Sequence, residues 1–208
     1  MIKQYEIGPV ETNTYLVWKP GEQSAVVIDP AEYSQALLMD LEDLKPEFLT
    51  VFITHAHFDH FMGVEHIRNR WKTETGLHKN DLPLWKMKGG APLFGIEAPD
   101  IPSPDFFLED GETVPAGGFN FRIMHTPGHA AGHVCLYLAD EDVLFTGDLL
   151  FAGGIGRTDL PGGSHQQLLQ NIRSKILCLP GKTVIYPGHG PSSTIQKEVE
   201  DNPWIAAQ

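Results

Sequence analysis

Apolar residues in this chain fall into short runs of two different periods, separated by turn residues. Residues 2–7 and 12–18 read as two strands joined through Gly8 and Pro9, a predicted hairpin. After the turn Lys19-Pro20-Gly21-Glu22, the continuous run Ala25-Val26-Val27-Ile28 suits a strand buried on both faces, and it ends at Asp29-Pro30. The spacing of Leu37, Leu38, Leu41 and Leu44 then predicts a helix over 34–44 that stops before Pro46, and Phe48-Leu49-Thr50-Val51-Phe52-Ile53 predicts the next strand. Val64, Ile67 and Trp71 have helical spacing, so a helix is expected over 61–71, its N-terminus aiming backbone donors at the residues before it. A short strand at 75–78 and a short helical turn at 81–85 follow. Residues 89–104 have no clear period, and their apolar members Leu93, Phe94 and Ile96 sit in what reads as either a functional lid or a plain connection.

The second half repeats this order. Glu109-Asp110-Gly111-Glu112 is a turn, 119–125 alternates, 134–138 and 143–145 are β-rich, 168–177 looks helical, and 183–186 is the last strand. The tail from Thr194 to Gln208 has room for at most one short helix. Strands followed by helices, twice over and without a detectable sequence repeat, predict a single α/β domain spanning 1–208, built as a four-layer αββα sandwich.

Against this background one stretch stands out chemically. Thr54-His55-Ala56-His57-Phe58-Asp59-His60 sets imidazoles and a carboxylate in a turn directly after a predicted strand, where alternate side chains converge on one point. Such a cluster suits zinc and also iron or manganese. Three more ligand-type residues follow β-like runs and sit in glycine-bearing loops: His129 in Thr126-Pro127-Gly128-His129, Asp148 in Thr146-Gly147-Asp148, and His189 in Pro187-Gly188-His189-Gly190. His133 reads as a supporting or surface residue, and His66, His78, His125 and His165 as ordinary structural histidines.

Bulk properties narrow the partners. A net charge of −12, with no run of Lys or Arg, argues against a general nucleic-acid binder while leaving room for a small anionic substrate held by local cations. A chain of 208 residues with 41% hydrophobic content supports one substantial core. Cys135 and Cys178 lie in apolar segments and read as buried free thiols. No signal peptide is visible and no window approaches the roughly 20 apolar residues of a membrane span, so a cytoplasmic location without a membrane partner is expected. Nothing in the sequence speaks to oligomeric state.

The string His55-x-His57-x-Asp59-His60, with His129, Asp148 and His189 in that order, resembles the metallo-β-lactamase superfamily, and Asp29 after Val27-Ile28 matches that family's early aspartate. Gly8-Pro9 with Thr12-Asn13-Thr14-Tyr15-Leu16-Val17, the Thr126–His129 string and Gly147-Asp148 are most similar to short, single-domain glyoxalase II-like (hydroxyacylglutathione hydrolase-like) enzymes. The resemblance implies two divalent metal ions, zinc before iron or manganese. It implies that His55, His57 and His129 hold one ion, that Asp59, His60 and His189 hold the other, and that Asp148 bridges both. Asp59 and Asp148 then serve catalysis around a metal-bridging hydroxide that attacks a carbonyl carbon. Asp29 would orient the ligand turn. Arg157, in Gly156-Arg157-Thr158-Asp159, would anchor an anionic part of the substrate or else pair with a nearby acid such as Asp159. Larger glyoxalase II enzymes carry a C-terminal helical glutathione-binding domain, and none is expected within 1–208.

The activity so implied is a metal-dependent thioesterase acting on an acylglutathione-type thioester. Two other chemistries share the site: a mononuclear-iron persulfide dioxygenase, and a lactonase or β-lactamase-type hydrolase. The survival of Asp59, His60 and His189 favours two ions over one. A metal-storage protein is the non-enzymatic alternative, and a dinuclear open site argues against it.

Overall fold

The first half of the chain folds around a six-stranded sheet. In the computed structural model, which describes residues 1–206, its strands are β1 (Ile2–Ile7), β2 (Thr12–Trp18), β3 (Ser24–Ile28), β4 (Phe48–Phe52), β5 (Thr73–Leu77) and β6 (Phe106–Phe107), paired in that order. β1, β2 and β3 are antiparallel, whereas β3, β4, β5 and β6 run parallel. The second sheet is made of β7 (Thr113–Ala116), β8 (Phe119–His125), β9 (Val134–Leu138) and β10 (Val143–Gly147), then, past the small hairpin β11 (Leu150–Phe151) and β12 (Gly154–Ile155), of β13 (Val184–Pro187) and β14 (Ser193–Thr194). Its order is β14-β13-β10-β9-β8-β7, with β10 and β13 parallel.

The predicted double burial of 25–28 explains the layering. Val26 and Ile28 face the second sheet in a core shared with Tyr15, Phe52, Phe121, Ile123 and Phe145. Ala25 and Val27 face the other way, onto helices α1 (Gln35–Leu44) and α2 (Val64–Arg68) through Leu37, Leu41, Val64 and Ile67; Trp85, from α3 (Leu82–Lys86), joins the same cluster. On the far side of the second sheet, Cys135, Leu144 and Ile185 pack on Leu168 of α4 (His165–Asn171) and Ile195 of α5 (Ile195–Asp201). Helix, sheet, sheet and helix thus form the four expected layers, because a two-faced apolar strand can be satisfied only from both sides.

Several elements depart from the sequence reading. The expected helix over 61–71 is cut to α2, preceded by a 3₁₀ turn at Phe58–His60. A Cβ at Gly63 would lie 2.5 Å from the Glu32 carbonyl oxygen, so the chain is pressed against residues 30–32 there and the helix starts only beyond it. The N–H groups of Met62, Gly63 and Val64 at its start are taken up by the carbonyls of Phe58, Pro30 and Phe61. The helix expected over 168–177 begins earlier, at His165, because the Ser164 side chain caps it, and it loosens into a π turn at Ile172–Ile176. The tail holds α5 and a further short helix, α6 (Pro203–Ala206), where at most one was expected. Residues 88–94 are a run of 3₁₀ turns with Gly89 and Gly90 at positive φ, which hydrophobic periodicity cannot register. Cys135 is buried as expected but Cys178 is exposed, beyond the π turn, where its thiol bonds back to the Ser174 carbonyl.

Phe121 is 0% exposed and meets Phe52 edge to face at 5.1 Å across the two sheets. Phe121→Ala should destabilise the metal-saturated protein by about 3–5 kcal/mol in urea unfolding, and Arg122→Ala on the exposed face of the same strand by less than about 0.5 kcal/mol.

Candidate metal centre

The ligand-type residues leave the C-terminal ends of the parallel strands. Residues 55–60 follow β4, Asp148 follows β10 and His189 follows β13, while His129 lies in the loop from β8 to β9. Side chains past the carboxyl ends of parallel strands open into a common crevice, which is where this type of sheet binds ligands. All seven predicted positions come together here. His55, His57 and His129 form one cluster, Asp59, His60 and His189 another, and His55, His60 and Asp148 a third between them, the ligand atoms within each lying no more than 4.8 Å apart.

Hydrogen bonds at the back of the rings decide which nitrogen faces inward. Thr54 Oγ1 donates to Asp29 Oδ2 (2.6 Å), which leaves it to accept from His55 Nδ1 (3.2 Å). His60 Nδ1 donates to Asp29 Oδ2 (2.9 Å), His129 Nδ1 to the Arg157 carbonyl (2.8 Å) and His189 Nδ1 to the Val10 carbonyl (3.1 Å). With each Nδ1–H so fixed, Nε2 presents its lone pair to the centre, as a metal-binding imidazole requires. His57 instead turns Nδ1 inward, 2.8 Å from His129 Nε2. The latter is also 3.1 Å from His55 Nε2.

These atoms lack protein partners of the right kind. His60 Nε2 and Asp148 Oδ1 are buried with no hydrogen bond, 3.5 Å from each other. Inward lone pairs repel at this spacing unless a proton or cation sits among them, so the donor set fits divalent metal. Without a cation, charge distributes itself among the side chains. Burial, then the neighbouring His60 and His129, holds the His55 imidazolium well below its usual range, and burial and His129 bring His57 down to about 3. Burial opposes charging of His60 too, but Asp59, Asp29 and Asp148 outweigh it and raise it to about 9. His189 rises to about 11 against burial through its bonds to Asp148 and Asp59. Burial works against ionisation of Asp59, yet His60 and His189 draw it down to about 2, and Asp148 is lowered further still, mainly by His60. The imidazoles of His55 and His57 are thus already neutral, as ligands need to be, whereas His60 and His189 hold protons beside Asp59 and Asp148 in the place a cation would take.

Four further residues support the seven, and of these the sequence offered only His133. Thr12 Oγ1 donates to Asp59 Oδ2 (2.8 Å). Asn13 Nδ2 donates to the carbonyls of Pro187 (2.9 Å) and Gly190 (2.8 Å), so the first sheet grips the loop that bears His189. Asp81, 1% exposed, accepts from the backbone N–H of Ala56 (2.9 Å) and of Gly132 (2.5 Å), tying the histidine turn to the His129 loop. His133 is fully buried rather than at the surface, and its Nε2 accepts from the Asp148 N–H (3.1 Å). Glycine is required at 188, where a Cβ would lie 2.1 Å from Asp148 Oδ1. Arg157 lines the cavity over the centre, but its guanidinium is exposed and paired bidentately with Asp159 (2.8 and 2.7 Å).

This fold and this arrangement of histidines and aspartates define a metallo-hydrolase, and the chain belongs to the metallo-beta-lactamase superfamily, whose family model matches residues 7–189. Among its relatives, the protein named hydroxyacylglutathione hydrolase GloC, from Haemophilus influenzae, is 36% identical over 206 residues, covering 96% of this chain and 97% of the relative. Among solved structures, BLEG-1 B3 metallo-beta-lactamase superposes with a TM-score of 0.92 at 38% identity, covering 99% of both chains. TTHA1623, solved in a di-iron-bound form, superposes with a TM-score of 0.88 at 35% identity, covering 97% of this chain and 99% of that one.

Asp29→Ala should weaken metal binding by about 10- to 100-fold, because Thr54 N, Thr54 Oγ1 and His60 Nδ1 lose their acceptor together. Asp81→Ala should do the same through the Ala56 and Gly132 contacts. Competition with a chelator, read as metal retained per chain, checks both, with circular dichroism to confirm the fold.

Proposed function

We propose that this chain hydrolyses an acyl thioester of the acylglutathione type with two divalent metal ions, zinc first. The observation that carries the reading is openness. His57, Asp59, His129, Asp148 and His189 line a cavity of about 270 Å³ instead of being closed over, and a structural metal site has no use for such access. Similarity to hydroxyacylglutathione hydrolase GloC supports thioester over other acyl substrates.

In this reading His55, His57 and His129 hold one ion, Asp59, His60 and His189 the other, and Asp148 reaches both. The adjoining clusters support two ions over a single iron. Divalent metal, when bound, supplies an acidified water and a Lewis acid for the carbonyl oxygen. The chain's own residues do the rest. Asp59, steadied by the Thr12 hydroxyl, and Asp148, steadied by His133, accept hydrogen bonds from the attacking water and orient it toward the carbonyl carbon. Among the described residues, no serine or cysteine lines the cavity, so the acyl group passes directly to water. The products are a carboxylate and a thiol. Arg157 meets an anionic group of the substrate only by exchanging its Asp159 partner for it, so its contribution is to binding more than to rate.

A β-lactam is the second acyl group to test, since the similarity to BLEG-1 B3 metallo-beta-lactamase extends over 99% of the chain. The di-iron relative makes iron the second metal.

Elemental analysis and thiol release from acylglutathiones on the same preparation test the reading. His55→Ala should chiefly empty the first position and Asp59→Ala the second, each lowering kcat/KM at least about a hundredfold. A metal-replete preparation that releases no thiol from any thioester, or that turns over lactams alone, overturns it. Arg157→Ala should raise KM several-fold and leave kcat nearly unchanged.

A further inference from the structure

Beside the metal-side cavity lies a second one, of about 290 Å³, which shares His57, Gly89, Phe94 and Leu160 with the first. The two therefore adjoin at these residues. Gly89 makes that close approach possible: it sits at φ +62°, and a Cβ there would lie 2.2 Å from the backbone nitrogen of Phe58, so the 88–94 turns press directly against the histidine turn. The walls of the second cavity are apolar, chiefly Pro83, Leu84 and Met87 at α3, Leu93 from the turn, and Pro161 opposite. Its polar members are few. Asn80 is one, and the Asp81 carboxylate is committed to two backbone N–H groups. Among the described residues, no lysine or arginine lines it, whereas the metal-side cavity has Arg157.

Met87, Leu93 and Phe94 leave 57%, 69% and 52% of their surface in water although polar residues would serve a plain connection better. Large exposed apolar side chains gathered at the mouth of an apolar cavity mark a binding surface for an apolar group.

We propose that this second cavity binds the acyl chain of the substrate, and that the chain is uncharged and aliphatic. The inference rests on the thioester reading of the metal centre. A thioester carbonyl over the metal cluster has two substituents. The carrier thiol of an acylglutathione bears carboxylates, which suit the side where Arg157 lies; the acyl substituent then points past His57 into the cavity without cations. The residues that set specificity are Leu84, Met87, Leu93 and Phe94, which touch the chain and take no part in the chemistry.

The test uses the full-length, zinc-loaded protein. Glutathione thioesters of acetyl, butyryl, hexanoyl and octanoyl groups are compared by kcat/KM, alongside acetyl thioesters of alkanethiols of increasing length. Stable analogues of the acyl series, with a methylene in place of sulfur, are titrated by calorimetry. The expected result is a gain of about three- to fourfold per added methylene on the acyl side until the cavity is full, in turnover and in affinity alike. Met87→Asp/Leu93→Asp changes two exposed side chains, and with metal content and circular dichroism unaltered it should cut the octanoyl-to-acetyl ratio at least tenfold. Met87→Leu should retain the ratio. A flat acyl series, a gain confined to the thiol side, or an unchanged ratio in the double variant overturns the proposal. If no thioester is hydrolysed but the analogues still bind more tightly with length and less tightly to the double variant, the thioesterase reading falls and the acyl-type pocket stands.

Discussion

The carboxylate of Asp29 is the constraint on which the centre depends. It lies at the end of β3, 2% exposed, at φ 48°, and accepts from the Thr54 N–H, the Thr54 hydroxyl and His60 Nδ1. A buried anion with three donors is stable only if all of them stay in place, since an unmet charge in this interior is costly. The bonds fix the start of the histidine turn to the neighbouring parallel strand and orient two of its imidazoles, His60 directly and His55 through Thr54. The positive φ at Asp29 is a local strain that this network holds.

The second requirement is that two sheets keep register at one edge. Asn13 and the Tyr15 hydroxyl, both on β2, donate to the Pro187 carbonyl on the opposite sheet, and the Asn13 N–H donates to the carbonyl of Gly188. Asp81 ties residue 56 to residue 132 in the same way. These cross-links set the spacing within each cluster, since every cluster draws on both sheets, while the aromatic core of Tyr15, Phe52, Phe121 and Phe145 keeps the sheets face to face. Loops at the strand ends supply the ligand-type side chains, and the 88–94 turns lie beside them, outside both sheets.

The ligand-type residues were legible because their chemistry is rare: imidazoles crowded after a strand, and three later His or Asp residues in glycine-bearing loops, have few other uses. The strands of the two cores were legible for a similar reason, since 25–28 is apolar on both faces and 119–125 alternates. Asp81 was not, and His133 was visible only as one of two choices. An aspartate in a short helical turn looks like a surface residue, and only burial against Ala56 N and Asp148 N reveals what the two side chains hold. The pairing of Arg157 with Asp159 was visible as one of two choices, and geometry chose it without removing Arg157 from the cavity.

The sequence by itself determined the layer architecture and the ligand-type set, because hydrophobic period and ligand chemistry are properties of residues in their local order. Tertiary structure decided the rest. Which imidazole nitrogen faces inward, which positions support the turn, where the helix after His60 begins, and that an apolar cavity opens beside His57 all depend on distances between segments far apart in the chain. The contact from Asn13 to Pro187 spans 174 residues, and no local pattern encodes a bond of that reach.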